Sequence, residues 1–237
     1  MRSGLYSEHD CSVLESIVKE TKPRTILELG PRTGRTTSVI LQALINSQED
    51  LSGIKYYLFE KDEQFIRSIK EYCLSFNTGI QFEFNENIIG YNFDTMPELD
   101  FCFIDGNHDY ILARWYVDTL FPKVKENGII QIHDIYYGRN GNGWDDVGLA
   151  NNPQEHPDII ADKVHKFLYP TIYDKYVSLP VTRFEEDIIK EYYFRMKEKV
   201  SFHSTCYPPQ PVGDTDQVPN CSLYLYNKKN EYTTFGS

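Results

Sequence analysis

Two aspartates and two histidines lie directly after two apolar runs of the sequence. Asp105 and His108 follow the first run, and His133 and Asp134 follow the second. The residues between the two runs have helical spacing, which predicts a strand–helix–strand unit with a right-handed crossover. Because parallel strands present their carboxyl ends at one edge of a sheet, we expect the four side chains to converge there.

Carboxylates and imidazoles without a cysteine among them are ligands that suit Mg²⁺ or Mn²⁺. Such an ion can hold a hydroxyl, lower its pKa and orient it toward an electrophile. His108 can take the proton, because the unperturbed pKa of a histidine, about 6.5, lies near working pH. In a simpler alternative, His133 and Asp134 only cap the second strand, and Asp105 contacts the amine of a cofactor.

An earlier stretch, residues 25–37, predicts a buried strand, a tight turn and a helix. We call residues 30–34 the glycine turn, because Gly30 and Gly34 allow positive φ and close approach of a ligand. A P-loop does not fit, since only three residues separate the glycines and Arg35 follows Gly34. A dinucleotide fingerprint fits poorly, because Arg32 and Arg35 replace its second and third glycines.

The third interpretation is Glu-x-Gly-x-x-x-Gly with the acid, Glu28, on the strand itself. This pattern resembles the first motif of S-adenosylmethionine-dependent methyltransferases with a Rossmann-like fold, although an arginine replaces the usual glycine at position 32. The resemblance implies that the turn holds the methionine end of the cofactor. The residues predicted to contact it are Glu28, Gly30, Pro31, Thr33, Gly34 and Thr36. A strand–turn–helix without a ligand is the alternative.

Two further strand ends carry polar side chains. Glu60 ends the next apolar run, where a carboxylate can accept two hydrogen bonds from ribose hydroxyls. It can also be an ordinary solvated acid at a strand end. Asp62 is well placed to cap the helix that follows. Asn85 and Glu86 end a third strand, at the corner that the methyltransferase resemblance places near the adenine.

The residues around these two aspartates and two histidines extend the resemblance over most of residues 10–135. Ile-Asp-Gly-Asn-His at 104–108 and Asn-Gly-Ile-Ile-Gln-Ile-His-Asp at 127–134 resemble the metal-dependent sugar O-methyltransferases of macrolide and aminocoumarin pathways. Cephalosporin-pathway relatives and glycan-modifying proteins are similar. The resemblance implies O-methylation of a sugar or glycosylated metabolite, with His108 as the base. It also implies Mg²⁺ (or Mn²⁺) bound by Asp105, His133 and Asp134, with His133 in place of a carboxylate, and Asp105 beside the cofactor.

Composition limits the other possibilities. The chain has 237 residues, 41% of them hydrophobic, and a formal net charge of −11, which argues against nucleic acid as a partner. Five cysteines without a C-x-x-C pair are typical of reduced thiols. The sequence lacks a signal-peptide pattern and any apolar run long enough to span a membrane. We therefore expect a cytoplasmic protein with a small-molecule or glycan acceptor, either monomeric or homo-oligomeric.

The predicted fold is one α/β domain over residues 1–237, Rossmann-like and doubly wound, with three layers (α/β/α). Its sheet is expected to have seven mostly parallel strands and an antiparallel last strand at 222–226. Residues 1–22 should form a lead-in helix. Residues 135–221 should form the acceptor side, with a loop at 136–152 that holds Asp145 and Asp146. For the helix and loop over 184–220, a dimer contact is the alternative. Within that region we expect helices at 158–169 and 184–200, a short strand at 176–181 and an irregular loop at 201–220.

Two other functions stay open at this stage. A nicotinamide-dependent sugar-modifying dehydrogenase would use the same fold class, but the sequence lacks its glycine fingerprint and a Tyr-x-x-x-Lys pair on a matching helix. A non-catalytic assembly module would retain the cofactor site without turnover. Changes in NAD(P)H absorbance and the binding of S-adenosylhomocysteine separate the three.

Overall fold

The computed structural model describes residues 8–106, 110–133, 185–196, 199–204 and 223–227. Within these residues, helices and strands alternate over the first half of the chain, as the sequence predicts. The helices are α1 (Glu8–Thr21), α2 (Arg35–Ser47), α3 (Glu63–Ser75), α4 (Tyr110–Thr119) and α5 (Glu185–Met196). The strands are β1 (Thr25–Leu29), β2 (Lys55–Phe59), β3 (Gln81–Asn85), β4 (Leu99–Ile104), β5 (Val124–Ile132), β6 (Val200–Ser204) and β7 (Leu223–Asn227).

The described strands form one sheet in the order β3-β2-β1-β4-β5-β7-β6. Strands β1 to β5 pair in parallel, and β7 pairs antiparallel with β5 and with β6. The chain builds the sheet outward from β1 in one direction and then returns to add β4 on the other side. This reversal between β1 and β4 is the switch point where ligands bind in open α/β sheets. The prediction of a Rossmann-like α/β fold around a parallel sheet is confirmed.

Hydrophobic side chains cover both faces of the sheet, because successive residues of a strand point to opposite faces. On β1, Ile26 packs in one cluster with α1, α2 and α3, whereas Leu27 and Leu29 pack in another with α4 and α5. Strands buried on both sides read as continuous apolar runs. This explains why β1, β2 and β4 stand out in the sequence.

Helix α3 begins as predicted. The Asp62 side chain accepts hydrogen bonds from the backbone N–H groups of Gln64 and Phe65, which caps the helix. The irregular loop predicted at 201–220 is wrong at its start, because β6 occupies Val200–Ser204 and pairs with β7. This pairing joins residues that are 19 to 27 positions apart, and local sequence patterns do not record such non-local contacts. The predicted elements at 136–152, 158–169 and 176–181 lie outside the described residues.

None of the described helices combines the length and the apolar character needed to cross a membrane.

Candidate functional site at the carboxyl edge of the sheet

Five polar or glycine residues line the carboxyl edge of the parallel strands side by side. Backbone hydrogen bonds connect each strand end to the next: Glu60 N–H to Asn85 O (3.0 Å), Gly30 N–H to Phe59 O (2.9 Å), Asp105 N–H to Leu29 O (2.9 Å) and His133 N–H to Ile104 O (2.9 Å). Along the edge, the ends of β3, β2, β1, β4 and β5 therefore present, in this order, Asn85, Glu60, Gly30, Asp105 and His133. The sequence predicted each of them as a site residue.

The glycine turn connects β1 to α2 through three residues with positive φ. Gly30 has a φ of 78°, Arg32 of 48° and Gly34 of 81°. A Cβ on Gly30 would lie only 1.9 Å from the backbone oxygen of Asp105, so the turn packs directly against the end of β4. Gly34 N–H donates to Pro31 O at 2.8 Å and closes the turn before α2 begins. Glycine is therefore required at position 30 for both conformation and space.

Glu60 lies between the glycine turn and α3. One oxygen, Oε2, accepts a hydrogen bond from the backbone N–H of Arg32, and the other, Oε1, accepts one from Asp62 N–H, both at 2.9 Å. The residue is only 7% exposed. Each carboxylate oxygen has a second lone pair, so these contacts leave acceptor capacity for a ligand hydroxyl. The same carboxylate also fixes the middle of the turn.

Glu28 is fully buried on the face of the sheet that packs against α2. Its Oε1 accepts a hydrogen bond from Thr36 Oγ1 (2.5 Å). Its Oε2 accepts one from Thr37 Oγ1 (2.9 Å) and one from Tyr56 OH (2.5 Å). Burial raises the pKa of Glu28, and the hydrogen bonds from these hydroxyls oppose that rise. The structure thus places Glu28 and the Thr36 hydroxyl inside the protein, facing each other.

Asp105 and His133 are brought together as predicted. His133 Nδ1 lies 3.4 Å from Asp105 Oδ2; the imidazole is fully buried and the Asp105 side chain is 29% exposed. Within the described part of the chain, no three His, Cys, Asp or Glu residues are grouped so that they could hold a metal ion. Mg²⁺ prefers oxygen ligands and keeps several waters. A carboxylate with a buried imidazole does not by itself fit this ion.

The remaining predicted residues have varied positions. Pro31 is buried, whereas Thr33 and Glu86 are exposed. The Asn85 side-chain amide donates to Glu83 Oε1 at 3.3 Å. The predicted base, His108, and the third predicted metal ligand, Asp134, lie outside the described residues, as do Asp145 and Asp146.

Two residues of the Glu28 network were missed by the sequence analysis. Thr37 and Tyr56 are both fully buried and both donate to Glu28. The available signal was an acid within an otherwise apolar run, because a buried carboxylate requires hydrogen-bond donors nearby. Thr37 in the first turn of the next helix is one such donor. The sequence shows Tyr56 only as part of an apolar run. Its position beside β1 depends on the strand register, in which Tyr56 pairs with Ile26.

A family model described as a methyltransferase domain matches residues 27–135. This range runs from β1 to just beyond β5 and contains all five residues of the carboxyl edge. No similar protein was found among curated proteins.

Solved structures of methyltransferases share the fold at low sequence identity. The O-methyltransferase TomG from Streptomyces achromogenes, in complex with S-adenosylmethionine, is 14% identical with a TM-score of 0.57 over 96% of this chain and 83% of that one. An O-methyltransferase from Bacillus cereus, in complex with S-adenosylhomocysteine, is 16% identical, with a TM-score of 0.56 over 95% of this chain and 84% of that one. The S-adenosylhomocysteine-bound methyltransferase PaMTH1 from Podospora anserina is 14% identical, with a TM-score of 0.54 over 95% and 81%. This likeness, together with the domain match, shows that the chain shares the fold of these methyltransferases.

Proposed function

We propose that this protein transfers the methyl group of S-adenosylmethionine to a hydroxyl of a sugar or a glycosylated metabolite. The observation that carries the proposal is the carboxyl edge, where Glu60, the glycine turn and Asp105 are adjacent in the hydrogen-bond ladder at the switch point between β1 and β4. Its side chains fit the cofactor, because carboxylates can accept hydrogen bonds from ribose hydroxyls and from an ammonium group. The turn in addition allows close approach of the ligand to the backbone.

When bound, the cofactor supplies a methyl group on a cationic sulfonium that is already activated for attack. The protein must therefore mainly align the acceptor and remove its proton. Alignment can contribute about 7–11 kcal/mol in favourable cases, and general-base catalysis about 10²–10⁴-fold. In this proposal Glu60 holds the ribose, the glycine turn holds the methionine end and Asp105 faces the ammonium group. Asn85 and Glu86 line the adenine corner.

The proposed base is His108, three residues beyond Asp105 in the sequence. In the sequence, position 108 falls between Ile104, where β4 ends, and Tyr110, where α4 begins. A His108→Ala variant should bind S-adenosylhomocysteine as the wild type does but turn over about 10²–10⁴-fold more slowly. Undiminished turnover would remove His108 from the mechanism.

The sugar acceptor and the metal rest on the resemblance of residues 104–108 and 127–134 to sugar O-methyltransferases. Metal assistance requires Asp134 in addition to Asp105 and His133, since these two alone do not fit Mg²⁺. No step of the proposal depends on the ion. Activity that is lost after exhaustive EDTA treatment and restored by Mg²⁺ would support the ion, and activity that survives the treatment would refute it.

The experiment that tests the function is methyl transfer from radiolabelled S-adenosylmethionine to a panel of nucleotide sugars and glycosides. The proposal predicts an O-methylated product that resists alkaline hydrolysis, as an ether does and an ester does not. Binding of S-adenosylhomocysteine without turnover on any acceptor would instead favour a non-catalytic assembly module. A change in NAD(P)H absorbance with a sugar substrate would favour a dehydrogenase.

A further inference from the structure

We propose that Glu28 is a positioning residue that ties the two ends of the glycine turn together and does not itself contact the cofactor. The inference rests on the proposed function, because it assigns to that turn the methionine end of S-adenosylmethionine. It replaces the role that the sequence analysis predicted for Glu28 and extends the positioning role to Thr36 and Thr37.

The contacts of the carboxylate lie on both sides of the turn. Glu28 precedes Gly30 by two residues on β1, and Thr36 and Thr37 are the second and third residues of α2, just after Gly34. The hydroxyl of Thr36 donates to Oε1 and that of Thr37 to Oε2, so both oxygens are used on the far side of the turn. The loop closed by these bonds contains only the turn and its flanking residues.

The conformation of the turn explains why it needs such support. Arg32 has a φ of 48°, a left-handed conformation that costs a non-glycine residue about 1–2 kcal/mol. The turn is therefore held in place by contacts outside itself. Glu60 binds the N–H of Arg32 in the middle, and Glu28 joins the ends through α2. A turn that is fixed before the ligand arrives loses less entropy on binding, which raises affinity.

Stability alone does not account for a carboxylate in this position. Glu28 has no exposed surface, and burial raises its pKa, so the charged form is less favourable here than in water. Buried charges of this kind are often replaceable by neutral side chains without loss of stability. The charge does suit the first turn of α2, whose free N–H groups favour an anion. We therefore assign to Glu28 the role of orienting α2 relative to β1.

The network offers a matched pair of variants. Thr37 and Tyr56 each donate one hydrogen bond to the same oxygen, Oε2, but only Thr37 lies across the turn, whereas Tyr56 comes from β2. Thr37→Val and Tyr56→Phe each remove one hydroxyl and keep the shape of the side chain. Thr37→Ser keeps the hydroxyl and serves as the conservative rescue, and Thr36→Val is a second variant across the turn.

The test is calorimetric titration of each purified variant with S-adenosylhomocysteine, alongside urea unfolding. We expect the affinity to fall about tenfold or more in Thr37→Val and Thr36→Val, the loss of one hydrogen bond to a charged group. We expect less than about threefold loss in Tyr56→Phe and in Thr37→Ser. Equal losses in Thr37→Val and Tyr56→Phe, losses that only follow stability, or an unaffected Thr37→Val would overturn the inference. A wild-type protein that does not bind S-adenosylhomocysteine would instead refute the proposed function.

Discussion

The carboxylate of Glu60 accepts a hydrogen bond from the backbone N–H of Arg32 at 2.9 Å. Arg32 stands in the middle of the glycine turn, and Glu60 ends the neighbouring strand, so the bond joins two parts of the proposed cofactor site. The residue that we propose to hold the ribose therefore also contacts the middle of the turn. We therefore expect a substitution of Glu60 to disturb both the proposed ribose contact and the conformation of the glycine turn.

Replacing Glu60 with glutamine should weaken cofactor binding. A glutamine side chain has one acceptor oxygen, so it can serve the N–H of Arg32 or that of Asp62 but not both. We expect the affinity for S-adenosylhomocysteine to fall about 10–100-fold, the range of one hydrogen bond to a charged group. Asp62→Asn is the control, because it removes a nearby charge and asparagine also caps helices well. An equal loss in both variants would mean that net charge, and not geometry, matters.

Replacing Gly30 with alanine should be far more damaging than the same change at another glycine with the same backbone conformation. Gly30 and Gly79 both have a φ of 78°, but a Cβ would lie 1.9 Å from Asp105 O in the first and 3.9 Å from Ser52 Cα in the second. Gly79→Ala should cost about 1–2 kcal/mol for the left-handed conformation alone. Gly30→Ala must in addition displace the end of β4. Urea unfolding measures the loss of stability in each variant. Similar losses in the two would contradict the close contact between Gly30 and Asp105.

Asp100 should contribute to stability without affecting the site. Its Oδ2 accepts hydrogen bonds from the N–H groups of Arg24 (2.6 Å) and Thr25 (2.8 Å), at the amino end of β1 and β4. Asp100→Ala should lower the free energy of unfolding by about 1–3 kcal/mol. Lys125, whose ammonium pairs with Asp100, is half exposed, so Lys125→Met should cost less than about 1 kcal/mol. Affinity for S-adenosylhomocysteine should remain unchanged in both, and a loss in Asp100→Ala would show coupling across the sheet.

The pH dependence of stability should reveal the buried carboxylate. Because burial raises the pKa of Glu28, the folded protein holds that proton more tightly than the unfolded chain does. This contribution is fully present below the unfolded pKa of about 4.3 and is lost as the pH rises through the folded value. Glu28→Gln cannot titrate, so its stability relative to the wild type should improve as the pH rises above the unfolded pKa. A difference in the free energy of unfolding that does not change with pH, measured by urea unfolding, would contradict the raised pKa.

The sequence was sufficient to predict the edge of the sheet but not the interior of the site. Apolar runs that end in Glu60, Asp105 and His133 locate strand ends, and parallel pairing then brings the ends together. The inward position of Glu28 was not predicted, because its partners come from α2 and from β2 and are set by packing and register. Strand β6 was missed for the same reason, since its partner is the distant β7. Arg32 shows a further limit, because a residue with this left-handed conformation is hydrogen-bonded to Glu60, which is distant in the sequence.

A crystal structure of the protein with S-adenosylhomocysteine tests the central claim most directly. We predict that the ligand lies along the carboxyl edge between β1 and β4, with its ribose hydroxyls within hydrogen-bond distance of Glu60 and its methionine end against the glycine turn. A ligand bound elsewhere, or a complex in which Glu60 and the turn make no contact with it, would contradict the account.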